Sequence, residues 1–426
     1  MQGSILEQGK CVSAKLNITV IGAGIVGVST AIWLQRDGHA VTLLDKTGVA
    51  AGTSYGNAGI LASAAVVPVT VPGLFWKAPK MLFDRNQPLF LRWLYLPRLL
   101  PFLVKYLKNG TARTNAKIAT GLTEMMHDSP DQHLALAAGT GAEKYIDTFD
   151  YFYGYKDAQA FAADAYGWNI RRTHGFDFTE VTGEELAAYD PTLAGRFGHG
   201  VRLKNHGRIT DPGAYVQALA DHFVAQGGKI KTAEITGFDL KIGQCTAVLT
   251  TTGSHKADRY VITTGAWSGK LSRELGVTVP LESERGYHIE FVNPSITLKS
   301  PIMVAAGKFV VNSMVGRMRA AGVVEFGGLD AAASRAPVEL LKRQMTDLFP
   351  DLTYDRIDEW MGHRPSTSDS LPIIGVAPKA GNVFLGYGHQ HIGLTGGPKT
   401  GRWLAKLATN APINTDLSAY AADRKV

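Results

Sequence analysis

Cysteine is nearly absent: the 426 residues hold two, Cys11 and Cys245. They form no CxxC and share no metal-ligand spacing, which excludes a disulfide framework and suits a reducing compartment. The 12 histidines show no HExxH and no Cys/His pattern, so no metal is expected. No run of about 20 unbroken apolar residues occurs, so no membrane-spanning helix is expected. Dense Lys/Arg blocks and nucleic-acid-binding motifs are also missing. The net charge of +7, from 44 Lys+Arg against 37 Asp+Glu, is mild. It excludes nucleic acid as the expected partner and permits some attraction to anionic substrates or lipid surfaces. Repeats and low-complexity tracts are lacking. Residues 1–16 have no apolar core of a signal peptide and are expected to form a flexible extension. With 45% hydrophobic and 19% charged residues the chain is globular, and its length predicts two domains.

Glycine is plentiful and patterned. Residues 17–45 read as a strand, a glycine turn, a helix and a second strand. The turn is Gly22-x-Gly24-x-x-Gly27. Gly22 permits a tight bend, Gly24 lets a pyrophosphate approach the backbone, and Gly27 lets helix and strand pack closely. Ile25 and Val26 open the helix, where unpaired N–H groups and the dipole favour phosphate. Asp45 ends the second strand, placed for ribose hydroxyls, and Lys46 follows it. An acid there argues against a 2′-phosphate, so FAD or NAD is expected and the motif leaves the two open.

Residues 51–74 are rich in Gly, Ala, Ser and Pro. Thr53, Ser54, Asn57, Ala58 and Gly59 place backbone N–H groups where a flat ring can approach; an ordinary surface loop is the plain alternative. Residues 87–108 are the most apolar, with prolines at 88, 97 and 101 that should break them into short pieces. Two readings stay open: the core of a second domain, or a peripheral membrane patch with Arg92, Arg98 and Lys105 interleaved. Residues 112–139 read as helical and 151–206 as irregular and aromatic. Asp211-Pro212-Gly213 opens a helix over 214–226. Strands are predicted at 229–231, 244–252, 257–263, 284–292, 308–314, 319–327 and 383–387, with a helix over 337–348. The strand at 257–263 runs into Thr264 and Gly265, again backbone suited to a cofactor. Residues 362–375 read as a polar turn, and 386–401 as a second glycine-rich loop entering a helix over 402–409.

Six segments carry a resemblance: GAGIVGVSTAIWLQRDGHAVTLLD from Gly22, NAG at 57–59, RYVITTGAWS from Arg259, RGYH from Arg285, HRPSTSDSLPIIG from His363 and GHQHIGLTGGPKTG from Gly388. In this order they resemble FAD-dependent amine oxidoreductases of the D-amino-acid oxidase and glycine oxidase superfamily. SYGNAGILASAAVVPVTVPGL, followed by an apolar segment with FLRW, is most similar to bacterial D-amino-acid dehydrogenases. The resemblance runs over 17–407. It implies an α/β fold: a Rossmann-like FAD-binding domain (17–85, 207–280 and 365–426) and an inserted substrate domain (86–206 and 281–364) on a mixed, mostly antiparallel sheet. It implies oxidative deamination, in which the α-hydrogen moves as hydride to flavin N5 and water hydrolyses the resulting imine to a 2-oxo acid and ammonia.

The resemblance also implies site residues. Arg364 matches the arginine that grips the substrate carboxylate; a structural salt bridge to Asp369 or Asp358 is the alternative. Tyr287 is expected to donate to that carboxylate or to lid the pocket, against a half-buried sheet tyrosine. Tyr55 has similar standing, and Arg285 is either a second anion contact or a solvent-facing strand residue. His391 and Gln390 lie where the last glycine loop passes the pyrimidine end of the flavin. His391 is the candidate acid or base there, and the Gly393, Leu394 and Thr395 backbone could stabilise negative charge without side chains. His288 and His363 are expected to be structural. The apolar segment after the NAG loop suits electron transfer to a quinone or respiratory carrier. The expected location is cytoplasmic, with peripheral attachment to the inner membrane left open. Two alternatives share the fold: an oxidoreductase of secondary amines or imino acids (sarcosine, D-hydroxyproline, D-proline), and a flavin subunit of a larger complex.

Overall fold

The computed structural model describes residues 14–74 and 86–426. The expectation for the chain before residue 14, and Cys11 with it, lies outside them. Asn17–Ile21 is a run of β-branched and apolar residues that takes the centre of a six-stranded sheet. The order is Ile373–Ala377, Ala380–Tyr387, Arg259–Ile262, Asn17–Ile21, Ala40–Asp45, Lys229–Thr232. All neighbours are parallel except the first pair. A central parallel strand is covered on both faces, which is why Ile18 to Ile21 are all buried. The covering helices include Ile25–Arg36, Pro212–Ala225 and Gly393–Ala408. Gly27 is obligatory for this packing: a Cβ there would lie 1.8 Å from the Gly22 carbonyl oxygen.

A ten-stranded sheet forms the second layer. Its path is Arg356–Thr367, Leu281–Val292, Arg317–Phe326, Phe309–Met314, Ile302–Val304, Ile146–Tyr155, His199–Ile209, Ile60–Leu61. Leu89–Leu91 and Thr179–Thr182 add to Arg317–Phe326 and His199–Ile209. Two pairings are parallel and the rest antiparallel, so the sheet is mixed and mostly antiparallel as expected. The helix Arg335–Leu348 packs on one face through Val338, Leu341 and Met345, meeting Tyr287, Ile289 and Phe291. A small antiparallel sheet of Ile235–Lys241, Gln244–Thr250 and Gly253–His255 completes the fold.

Four readings from the sequence need correction. Residues 151–206 are not irregular: Ile146–Tyr155 and His199–Ile209 pair over their whole length. Their aromatics alternate between two buried faces, which hides the polar alternation of a one-sided strand. The polar turn read at 362–375 is mostly strand: Arg356–Thr367 carries Arg364. Pro365 is tolerated because this strand lies at the sheet edge. The final helix starts at Gly393 rather than 402, its glycines facing close neighbours: a Cβ at Gly401 would lie 2.6 Å from Ser29 Cβ. Finally, Leu96–Lys108 is one helix despite its prolines. Pro97 lies in the first turn, and Pro101 omits only the bond to the Pro97 carbonyl. This helix buries Leu99, Phe102 and Tyr106 against Phe326 and exposes Leu100 and Val104; Leu94, just before it, is 99% exposed. No helix among the described residues is long and apolar enough to cross a membrane.

Candidate functional site

The carboxyl ends of the parallel strands open onto a cavity of about 1930 Å³. Gly22, at φ +106°, turns the chain out of the first strand; a Cβ there would meet the Thr263 carbonyl at 2.5 Å. Gly24 differs: the nearest protein atom to a Cβ would be Ser54 Oγ at 3.1 Å, so its bareness serves the cavity rather than packing. Ile25 N–H donates to Ser54 Oγ at 2.9 Å. Val26 lines the same wall. Asp45 Oδ2 accepts from Ala23 N–H at 2.8 Å, and Oδ1 accepts from the N–H groups of Thr47 and Gly48. The carboxylate is thereby fixed at the strand end, on the cavity wall. Lys46 lies over the Trp267 ring at 4.1 Å, and Thr264 and Gly265 line the floor.

The loop carrying Thr53 to Gly59 is strapped onto the second sheet by its carbonyls. Arg319 donates to those of Tyr55 and Asn57, His288 to Gly56, and Asn312 to Ala58. Thr53 Oγ1 reaches the His363 carbonyl at 2.9 Å, and Asn57 Oδ1 accepts from Gly59 N–H. Arg319, 1% exposed, is held by Glu290 at 2.7 Å. The Trp360 ring covers Gly56, where a Cβ would approach it to 2.0 Å, and stacks on His288 at 5.0 Å. Burial, then the Arg319 charge, push His288 well below the usual histidine range, so it stays neutral.

Arg364 lies half-buried on this face of the sheet. Its guanidinium crosses Gly286, where a Cβ would sit 2.5 Å from Cζ. Nη2 donates to the Gly322 carbonyl at 3.0 Å and Nη1 to that of Val323 at 3.3 Å. Neither carboxylate weighed as its partner pairs with it: Asp369 binds Arg424 and Asp358 binds Arg356. His391 is exposed and lies close enough to Arg364 to feel its charge. Burial among surrounding atoms, then the Arg364 charge, lower its pKa to about 4. Asn57 Nδ2 donates to the His391 carbonyl at 3.4 Å. Arg364, His391 and the loop at 57–59 therefore converge.

Tyr287 does not join them. It stands opposite Met361, whereas Arg364 stands opposite Glu284, so the two side chains leave opposite faces of the sheet. The Tyr287 hydroxyl donates to Glu325 Oε2 at 2.6 Å and accepts from Ser334 N–H. Arg285 is fully buried beside it, paired to Glu325 at 3.1 Å, which overturns the solvent-facing reading. At the other wall, the helix Gly393–Ala408 begins without a side-chain cap, leaving the first N–H groups, from Gly393, Leu394 and Thr395, free of helical partners. Thr395 Oγ1 donates to the Ile60 carbonyl at 3.1 Å. Gln390, at φ +49° and 4% exposed, has a side-chain Nε2 with no hydrogen-bond partner among the described residues. Sequence reasoning missed Arg319, Trp360 and Glu284, whose roles depend on which strands become neighbours.

Residues 17–407 match the family described as FAD dependent oxidoreductase, DAO. The chain belongs to this family. The oxidoreductase is 39% identical to a D-amino-acid oxidase of Bradyrhizobium diazoefficiens, over 96% of this chain and 98% of that one. It is 29% identical to a D-amino acid dehydrogenase of Allorhizobium ampelinum, over 96% and 100%. Its fold matches glycine oxidase from Geobacillus kaustophilus with a TM-score of 0.74, 20% identity and coverage of 97% and 99%. Its cofactor is FAD. The chain fits that cofactor at three points: the opening beside Gly24, the fixed Asp45 carboxylate, and the unpartnered Gln390 amide beside an uncapped helix start.

Proposed function

We propose that this oxidoreductase deaminates free D-amino acids to 2-oxo acids and ammonia. The observation that carries the reading is Arg364: a half-buried guanidinium without a carboxylate ion-pair partner among the described residues, close to His391, whose carbonyl meets Asn57 of the 57–59 loop. Such a group takes an α-carboxylate through parallel charge-assisted bonds. The bound flavin supplies the acceptor for the hydride leaving the α-carbon. Gly22, Gly24 and Gly27 with Ile25 and Val26 would hold the pyrophosphate, and Asp45 the ribose. The N–H groups of Gly393, Leu394 and Thr395 at the uncapped helix start would stabilise negative charge on the reduced ring. His391, neutral above a pKa of about 4, orients rather than titrates. The division into an FAD domain (17–85, 207–280, 365–426) and a substrate domain (86–206, 281–364) belongs to this proposal. The full-length relatives named for D-amino acids support the substrate class.

For the electron acceptor we favour a quinone or respiratory carrier met at an apolar surface, supported by the uncovered Leu94, Leu100 and Val104. Dioxygen is the second reading, favoured by the oxidase name of the 39% identical relative. The test is anaerobic mixing with D-amino acids, L-amino acids, glycine and cyclic or N-methyl imino acids while flavin absorbance is followed. Bleaching by D-amino acids alone is expected; bleaching only by imino acids would move the assignment to secondary amines. Reoxidation by air or by a soluble quinone then separates the acceptors.

A further inference from the structure

Glu284 stands in register with Arg364 on the adjacent strand, so both side chains leave the same face of the sheet. It is 3% exposed. Tyr106, from the helix Leu96–Lys108, donates to its Oε1 at 3.4 Å. The groups that face it are Arg364 and Ser366 from the neighbouring strand, Tyr106 from the helix and Glu282 from its own strand. The sole cation among them is Arg364, and no ion pair joins the two. Arg364 instead spends hydrogen bonds on the carbonyls of Gly322 and Val323. One half-buried guanidinium therefore stands beside one buried carboxyl group at the place proposed for a substrate carboxylate.

A guanidinium carries one positive charge. When a carboxylate docks on Arg364, a second anion beside it would leave a net negative charge in a site withdrawn from water, which is costly. We propose that Glu284 is a positioning residue of the anion site, and that it takes up a proton from solvent when a carboxylate binds Arg364 and returns it on release. The inference rests on the reading of Arg364 as the carboxylate holder. Two features of the surroundings suit it. Burial is the largest influence on Glu284 and raises its pKa, opposed by Arg364, Ser366 and Tyr106. The Tyr106 hydroxyl can donate to the carboxylate and accept from the carboxylic acid, so both protonation states keep a partner.

The test uses the FAD-loaded protein and propionate, a carboxylate without an amine. Its binding is read from perturbation of the flavin spectrum and by calorimetry from about pH 6 to about pH 9, where propionate stays ionised. His391, with a pKa of about 4, is neutral throughout and cannot supply a pH dependence there. In the wild type the dissociation constant should rise with pH, approaching about tenfold per unit between the free-state and bound-state pKa of Glu284. Glu284→Gln, a permanent mimic of the protonated form, should flatten the curve and keep binding tight at high pH. Tyr106→Phe removes a donor to the charged form and should move the rise to higher pH. Arg364→Ala should bind propionate at no pH. A flat wild-type curve, or an unchanged slope in Glu284→Gln with Arg364→Ala inactive in binding, overturns the proposal and leaves the role of Arg364 standing. Wild-type binding by Arg364→Ala overturns that role instead. Should Glu284→Gln not retain FAD, the Tyr106→Phe curve decides, and an unshifted rise counts against the proposal.

Discussion

At the scale of single residues, Arg364 stood out because its sequence neighbourhood matches a family pattern, and its lack of a carboxylate ion pair became visible only in three dimensions. Arg364→Ala should lower kcat/KM for D-amino acids by about 2–5 kcal/mol in transition-state terms, since it leaves a carboxylate unpaired in a partly desolvated site. Wild-type kcat/KM in that variant would sink the assignment. His391 invites the opposite expectation. Because its pKa is held at about 4, it carries no ionisation near neutral pH. The kcat/KM profile of His391→Gln should therefore keep the wild-type breakpoints between about pH 5 and pH 8; loss of a breakpoint there would restore the histidine as acid or base. Tyr287 shows where residue-level reading ends. Its sequence position is right for the site strand, but alternation sends its hydroxyl to Glu325. Only the register with Arg356–Thr367 reveals this, and register is a property of two strands.

At the scale of elements, the first βαβ unit was readable because all its constraints are local: an apolar strand, glycines at fixed offsets and a helix of ordinary length. The Arg356–Thr367 strand and the start of the last helix were misread for the opposite reason. Pro365 and the glycines at 393–397 look like punctuation in sequence, and they are tolerated by an edge position and by close helix packing. The strap over the cofactor loop is a further element-scale device. Gly56→Ala would drive a methyl group into the Trp360 ring, so the loop must lift. We expect a loss of about 1–3 kcal/mol in stability and weaker FAD retention, measured by denaturant titration and by flavin remaining after gel filtration. For the helix Leu96–Lys108 the two faces predict different results. Phe102→Ala should cost about 3–5 kcal/mol, as for a buried ring, whereas a Leu94→Ser, Val104→Ser double variant should change stability by less than about 1 kcal/mol. The double variant should nonetheless sediment less with anionic liposomes than the wild type; equal sedimentation would remove the membrane reading.

At the scale of the whole molecule, the last helix is docked through groups that stay uncharged. His133 links the helix Ser129–Ala137 to the last helix: its ring nitrogens lie 2.9 Å from the Tyr215 hydroxyl and from the Leu394 carbonyl. His389 contacts Thr400 at 3.0 Å across the turn that precedes the same helix. Burial lowers both to about 4, against 6.5 when unperturbed. The unfolded chain therefore binds protons that the folded one refuses. The stability these rings permit is full above about pH 6.5 and is lost as the pH falls towards about 4. Each contributes on the order of 2–3 kcal/mol over that window. Both rings touch or flank the start of Gly393–Ala408, so the first structure to loosen should be the wall proposed to face the flavin. Guanidinium unfolding of the FAD-loaded protein should thus show falling stability between about pH 6.5 and pH 4.5, with flavin release preceding loss of helical ellipticity. His389→Asn, which cannot gain the charge, should shallow that slope. A slope unchanged in this variant would remove His389 from the groups that carry the acid sensitivity.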